Sequence, residues 1–324
     1  MPTDKMDDSS ISRRDFFKRL GAMALASAPL LSSVAPLSAL SSCVRCAGKR
    51  RLVILHTNDV HSHIDPFPDT DPLYPGLGGY ARRESLINET IRQYGADNVL
   101  VFESGDMFQG TPYFNFYRGQ LEMQLMNRMH IDAVTIGNHE FDNGVSALCD
   151  CMEIANFPFL SANYAFTDVR GSKLVKPYKV FLRGGFRVGV FGIGVRLAGL
   201  VAPHNCDSVR FSEIVPTAQE MADRLRNVEG CDIVIALTHI GFADGVNDDC
   251  DKTLAANTHG IDLILGGHSH TFLESPEFIC NTMGERVLVN QVGYGGVCVG
   301  RITVGCEGNE RLALLSTDNM TVKC

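Results

Sequence analysis

Five short apolar runs, each ending in a polar motif, most constrain the fold of this 324-residue chain. The runs are Leu52–Leu55, Val99–Phe102, Ala133–Ile136, Ile233–Leu237 and Ile261–Leu265. The motifs after them are Asp59-Val60-His61, Gly105-Asp106, Gly137-Asn138-His139-Glu140, Thr238-His239 and Gly266-Gly267-His268-Ser269-His270. Runs this short and this rich in Val, Ile and Leu read as buried strands. In a sheet covered by helices, the loops at the carboxyl ends of neighbouring strands converge on one crevice. Side chains far apart in sequence can therefore meet. Two Asp, one Asn and several His would do so, which is a ligand set for metal ions, and for two of them.

Between the motifs, strand and helix patterns alternate. Strands are expected at 51–56, 98–103, 132–137, 231–238 and 261–265, with a further strand end at Phe159–Asn163. Helices are expected at 79–94, 119–129, 144–155, 214–228 and 249–258. Residues 57–78 form a loop dense in Asp, Pro and Gly. Tyr178–Leu182 and Phe186–Ile193 flank Arg183-Gly184-Gly185 and read as a hairpin. Late strands are expected at 286–292, 296–304 and 311–316. Crossovers mixed with hairpins imply a mixed sheet, or two packed sheets, flanked by helices. Residues 51–324 read as one domain and 43–50 as a linker.

Hydrophobic residues make up 45% of the chain, so a substantial core can form, and the formal charge is −8. With no basic tract beyond the amino terminus, binding to a nucleic-acid polymer through a cationic face is excluded as the working expectation. An acidic protein that handles a phosphorylated small molecule needs metal ions to offset the repulsion.

The first 42 residues read as an export signal. Ser12-Arg13-Arg14-Asp15-Phe16-Phe17-Lys18 is a twin-arginine signature, and an Ala/Ser/Leu-rich apolar segment follows, interrupted by Pro29 and Pro36. Leu40-Ser41-Ser42-Cys43 has the pattern of a lipoprotein cleavage box. The expectation is a periplasmic protein, or one anchored at the cell envelope through a lipid on Cys43. Cys43-Val44-Arg45-Cys46 lacks a second C-x-x-C partner and reads as linker. The remaining Cys are scattered and read mostly as small buried hydrophobes.

Mixed Asp, Asn and His ligands around divalent metals belong to hydrolytic sites. A carboxylate bridging two ions about 3.5–4 Å apart lets the pair hold a hydroxide and a phosphoryl oxygen together. Asp106 is the natural bridge, because the Ser-Gly-Asp turn presents it alone at a strand end. Asp59 and His61 lie two apart in extended chain and face the same way. Asn138 offers a carbonyl oxygen, while His139 points elsewhere, towards substrate. His268 and His270 can each serve a different metal. Six of the ten His residues (His61, His63, His139, His239, His268 and His270) fall in strand-end motifs. His56, His130, His204 and His259 do not and read as structural or surface groups. His63 reads equally as a support for the ligands and as a solvated loop residue.

Taken jointly, these blocks resemble the five signature blocks of calcineurin-like metallophosphoesterases. Leu55-His56-Thr57-Asn58-Asp59, Gly137-Asn138-His139-Glu140-Phe141-Asp142 and Leu160-Ser161-Ala162-Asn163 resemble the 5′-nucleotidase branch. The resemblance covers residues 51–305. It implies a four-layer α/β/β/α sandwich with mixed sheets and a site for two divalent metal ions (Zn, Mn, Co or Fe). It also implies that Asp59, His61, Asp106 and His270 hold the first ion, and Asp106, Asn138, His239 and His268 the second. His139 and Asp142 resemble the catalytic pair, with the carboxylate fixing the imidazole tautomer. His270 stands where some relatives carry Gln, which bears on metal preference.

The resemblance further implies a phosphohydrolase that removes phosphate from nucleoside 5′-monophosphates by attack of metal-bound hydroxide, and the amino-terminal signal would export it. Hydrolysis of 2′,3′-cyclic nucleotides, UDP-sugars or sulfur esters on the same core stays open. So does a non-enzymatic assembly subunit stabilised by its metals. Family members carry a second, carboxyl-terminal nucleoside-binding domain, which this chain is expected to lack. A separate chain is expected to supply it.

Overall fold

The computed structural model describes residues 50–243, 249–306 and 312–323. The export signal expected at 1–42, the Cys43 box and all of the 43–50 linker but Arg50 lie outside the described residues. The first half of the chain begins with β1 (Arg50–Thr57), α1 (Tyr80–Tyr94), β2 (Val99–Glu103), α2 (Pro112–Tyr117), α3 (Gln120–Met126) and β3 (Ala133–Thr135). It continues with α4 (Gly144–Ile154), β4 (Phe159–Leu160), β5 (Tyr164–Phe166), α5 (Val169–Leu174) and β6 (Val175–Lys176). Next come β7 (Tyr178–Arg183), β8 (Phe186–Gly194), α6 (Pro203–Cys206), β9 (Val209–Phe211), α7 (Ile214–Asp223) and β10 (Ile233–His239). The last elements are α8 (Asp251–Asn257), β11 (Leu263–Leu265), β12 (Glu277–Cys280), β13 (Arg286–Asn290), β14 (Cys298–Cys306) and β15 (Ala313–Thr321).

Two mixed sheets carry the fold. One has the order β15-β14-β1-β2-β3-β4-β6 and the other β12-β13-β11-β10-β8-β7. The strands preceding the motifs pair in parallel: β1 with β2, β2 with β3, and β10 with β11. Their carboxyl ends therefore open towards the same edge of each sheet. The expected hairpin is present as the antiparallel pair β7 and β8, with Arg183 opposite Phe186.

Alternation along the strands builds the layers. Leu52, Ile54, Leu100 and Phe102 join Val188, Val190, Ile233, Ile235 and Leu237 in one core between the sheets. Their neighbours Val53, Leu55, Val99 and Val101 point the other way, into a core shared with Ile87 of α1, Met123 of α3 and Leu148 of α4. On the second sheet, Val234, Ala236 and Ile264 face Ala218 of α7 and Leu254 of α8. Side chains alternate faces with period two along a strand, so three cores imply helix, sheet, sheet and helix in that order. Full burial of each Leu, Ile or Phe contributes about 1.5–3 kcal/mol. Among the described residues no helix is long and apolar enough to cross a membrane.

Several elements lie beyond what the pattern of the chain implies. The two-residue strand β6 extends the first sheet beyond β4, the strand end expected at Phe159–Asn163, and β5 pairs with β9 in a small separate sheet. The helix expected at 119–129 is shorter, and α2 precedes it. After α7 the chain continues to Val228 in a wider helical turn.

Of the two readings open for His56, structural or surface, the structure shows the structural one. His56 is fully buried and its Nε2 accepts from Asn290 Nδ2 at 2.9 Å. Burial lowers its pKa to about 3. The unfolded chain therefore binds a proton between pH 6.5 and about 3 that the folded chain does not, and stability falls as pH drops through that window. In a His56→Gln variant, the slope of unfolding free energy between pH 6 and 5 should be shallower by about 1 kcal/mol per unit. Equal slopes in urea titrations of the two proteins would exclude this role.

Candidate metal centre

The polar motifs occupy the loops at the carboxyl ends of β1, β2, β3 and β11, while His239 is the last residue of β10. Nine non-glycine residues among those described have left-handed backbone. Asp59, His61, Asp106, His268 and His270 are five of them, with φ between 45° and 82°. Each such residue costs about 1–2 kcal/mol. The strain persists because neighbouring backbone overdetermines it. Asp59 N–H donates to Gly105 O, His61 N–H to Asp106 O and Ser62 N–H to Met107 O, each at 3.0 Å. His139 N–H donates to Asp106 Oδ1 and His268 N–H to Asp59 Oδ2, both at 2.9 Å. A Cβ at Gly137 would stand 2.3 Å from Asp106 Oδ1, so only glycine lets that carboxylate lie against the neighbouring loop.

Six of the site residues named from the sequence converge. Donor atoms of Asp59, His61 and His270 form one group, and those of Asp106, His239 and His268 a second, with all atoms in a group within 4.8 Å of one another. His61 Nε2 lies 3.1 Å from His270 Nε2 and 3.8 Å from Asp106 Oδ2, which links the groups. His239 Nε2 lies 3.0 Å from Asp106 Oδ2. Asn138 Oδ1 is buried with no hydrogen-bond partner.

The tautomers follow from backbone acceptors. His61 Nδ1 faces Phe108 O at 3.1 Å, and His239 Nδ1 faces Ser104 O at 2.8 Å. A carbonyl only accepts, so both Nδ1 atoms carry hydrogen and both Nε2 atoms turn towards the carboxylates. Neutral imidazoles would aim lone pairs at anionic oxygens. Protons or cations must intervene. Burial works against a charged His239, yet the carboxylates of Asp106 and Asp59 push its pKa up to about 10. Burial likewise opposes charge on Asp106, but His239 and His61 hold its carboxyl well below the usual range. Two divalent cations fit this donor set: the field that would draw protons to Nε2 would hold metals, and the orphaned Asn138 oxygen would gain a partner.

His139 and Asp142 stand beside this cluster. His139 Nδ1 lies 2.8 Å from Asp142 Oδ2, and both side chains are about one-third exposed. The His139 ring centre is 5.3 Å from that of His61. Burial lowers the His139 pKa, but the hydrogen bond to Asp142 and the charge of Asp106 raise it on balance. Asn205 Nδ2 donates to the Asp142 carbonyl at 2.8 Å. His63 is no solvated loop residue: it stacks on Phe67 with ring centres 4.2 Å apart.

Several supports escaped the sequence pattern. Glu140 accepts four backbone N–H groups: Oε2 takes those of Asp106 (2.9 Å) and Gly137 (2.6 Å), and Oε1 those of Met107 (2.8 Å) and Phe108 (3.3 Å). Asn58 Nδ2 donates to Asp59 Oδ2 at 2.6 Å and to Gly293 O at 2.8 Å. Asp251 accepts from Thr238 Oγ1 at 2.6 Å and from Gln291 Nε2 at 2.9 Å, and Gln291 Nε2 also reaches Gly267 O at 2.9 Å. That chain ties the His239 strand end to the His268 loop.

The sequence matches the calcineurin-like phosphoesterase family over residues 52–272. It is 34% identical over 254 residues to snake venom 5′-nucleotidase of Crotalus adamanteus, covering 76% of this chain and 42% of that protein. Identity to human 5′-nucleotidase is 35% over 235 residues, covering 70% and 39%. Among solved structures, the 5′-nucleotidase precursor of Thermus thermophilus superposes with a TM-score of 0.74 at 32% identity, over 84% of this chain and 54% of that one. The chain thus spans less than half the length of the two curated relatives it matches here. Both sheets, the ligand loops and these matches assign one family: the chain belongs to the calcineurin-like phosphoesterases.

Proposed function

We propose that this chain is a phosphohydrolase dependent on two divalent metal ions, acting on nucleoside 5′-monophosphates. The observation that carries the reading is the juxtaposition of two adjacent ligand groups, with Asp106 of one 3.8 Å from His61 of the other, and a partly exposed His139–Asp142 pair. A site that held metals only as structural glue would need no such pair, which weighs against the assembly-subunit alternative.

Asp59, His61, Asp106 and His270 would hold one ion, and Asp106, Asn138, His239 and His268 the other. Bound there, the ions supply Lewis-acid polarisation of a phosphoryl group and ease deprotonation of water. The protein's own groups do the rest. The backbone N–H bonds to Asp106 and Asp59 fix the carboxylates before substrate arrives. Asp142 holds the His139 tautomer, so that Nε2 is the end offered to substrate. As an imidazolium, His139 can stabilise the charge of the transferring phosphoryl group or donate a proton to the leaving oxygen.

Export by the twin-arginine route, with a periplasmic location or a lipid anchor on Cys43, belongs to this proposal. The Ser12–Lys18 signature and the Leu40–Cys43 box support it, as does the disulfide formed by Cys306, a bond favoured outside the cytosol.

The test is a substrate panel of nucleoside monophosphates, cyclic nucleotides and UDP-sugars, with the protein stripped by EDTA and reloaded with Mn, Zn or Co. The expected result is phosphate release from AMP that is lost on stripping and restored on reloading, with two ions per chain. Phosphate release that survives stripping, or preferential turnover of a cyclic nucleotide or UDP-sugar, would overturn the reading.

A further inference from the structure

A row of aromatic rings borders the ligand cluster, and none of them is needed to hold a metal. Tyr294 packs on His61 and His270, with ring centres 5.2 and 4.7 Å apart. Its hydroxyl meets His63 Nε2 at 3.0 Å, which fixes the ring. Tyr74 lies 5.2 Å from Phe67 and 6.5 Å from Tyr294, and Phe272 stacks on Tyr74 at 5.6 Å with planes 30° apart. The rings come from three segments: the loop after β1, the loop after β11 and the connection between β13 and β14.

The row is held in place rather than loosely draped. Phe67 N–H donates to Leu77 O at 2.8 Å, and the N–H groups of Leu73 and Tyr74 both bond Asp71 Oδ1, at 2.9 and 2.7 Å. Gly293 lies directly under Phe272, where a Cβ would stand 2.1 Å from the ring. Burial falls along the row. Phe67 is 9% exposed, whereas Phe272 at the outer end is 43% exposed. A fixed, water-facing aromatic surface beside a polar cluster is unfavourable for folding alone and marks a contact for something else.

We propose that this shelf binds the nucleobase of a nucleoside monophosphate whose phosphate lies at the ligand cluster, with Phe272 and Tyr74 presenting the stacking face. The inference rests on the nucleotide reading above. It gives the chain its own hold on the base. Stacking engages the π face that every base has, so base selectivity through the shelf is weak.

The test compares kcat/KM for AMP and for ribose 5-phosphate, which lacks the base, in the metal-loaded full chain and in Phe272→Ala and Tyr74→Leu. The AMP to ribose 5-phosphate ratio should fall about 5- to 100-fold in each variant, mainly through KM for AMP. Calorimetry should show adenosine binding to the unaltered protein and its weakening in both variants. Tyr74 lies on a surface loop, so Tyr74→Leu decides the matter if Phe272→Ala does not fold. A ratio unchanged in a folded variant, or an equal loss on both substrates, overturns the shelf while leaving the nucleotide reading intact. An unaltered protein that cleaves ribose 5-phosphate but not AMP, or neither, defeats the nucleotide reading and the shelf with it. Absence of adenosine binding at millimolar concentration also overturns the shelf, and points to a surface covered by another polypeptide.

Discussion

Replacing His139 with Ala should lower kcat for AMP by about 10²- to 10⁴-fold while the protein still binds two metal ions. The separation between chemistry and metal binding follows from where the residue sits. The hydrogen bond from residue 139 to the ligand set comes from its backbone N–H, which donates to Asp106 Oδ1 at 2.9 Å and survives the substitution. The side chain instead meets Asp142 at 2.8 Å and is open to solvent, as a group that touches substrate must be. Asp142→Asn refines the test. Burial lowers the His139 pKa, and the Asp142 hydrogen bond together with the Asp106 charge raises it. If the imidazolium is the active form, activity declines as pH rises through that pKa. Removing the Asp142 charge should move this alkaline decline to lower pH, leaving the acid side in place. Undiminished turnover in His139→Ala, or loss of metal in parallel with loss of activity, would reject the assignment. The measurement is steady-state kinetics from pH 5 to 10, paired with metal analysis of the same samples.

What could be read from the chain itself depended on whether a residue's role is written locally. Asp59, Asp106, Asn138, His239 and His268 each follow an apolar run that forms a strand, so the run announces the strand and the motif announces its end. The four layers come from the family resemblance, since the pattern of runs leaves one mixed sheet or two packed sheets open; in the structure Leu52 and Val53 face different cores because adjacent residues on a strand must. Glu140 is the contrast. Its partners are N–H groups of residues 106–108 and 137, and only the packed pair of loops reveals that one carboxylate serves both. Asp251 and Gln291 are further still from any motif, and their meeting depends on three strands and a helix being in place. Asn58 stood inside a quoted motif, yet nothing in the local spacing said that it would tie Asp59 to Gly293. The missed elements have a common cause. Strand β6 has two residues, too few for any periodicity to register, and β5 and β9 pair across 45 positions at Ala165 and Arg210.

Glu140→Gln should raise the metal concentration needed for half-maximal activity by about 10- to 100-fold, and should destabilise the protein although side-chain volume hardly changes. Each carboxylate oxygen of Glu140 accepts two backbone N–H groups. Glutamine replaces one oxygen with an NH₂ group, which donates and cannot accept. Two buried N–H groups, either those of Asp106 and Gly137 or those of Met107 and Phe108, then face another donor. An unsatisfied buried donor costs about 1–3 kcal/mol, so a loss of about 3 kcal/mol is expected unless the loops part. If they part, Asp106 moves with them, because its own N–H is one of the four. A bridging carboxylate out of place weakens both ions at once, so the metal requirement reports the displacement. Burial and the neighbouring Asp106 charge push the Glu140 pKa up to about 7, against the N–H groups that favour the carboxylate. Above that pH the site holds a second buried anion beside Asp106, and cations at the ligand groups lower the cost of both. Metal should therefore stabilise the unaltered protein against heat more than it stabilises Glu140→Gln. Thermal melts with and without Mn give this comparison directly, and equal metal-induced shifts in the two proteins would show that Glu140 supports the fold without supporting the metal site.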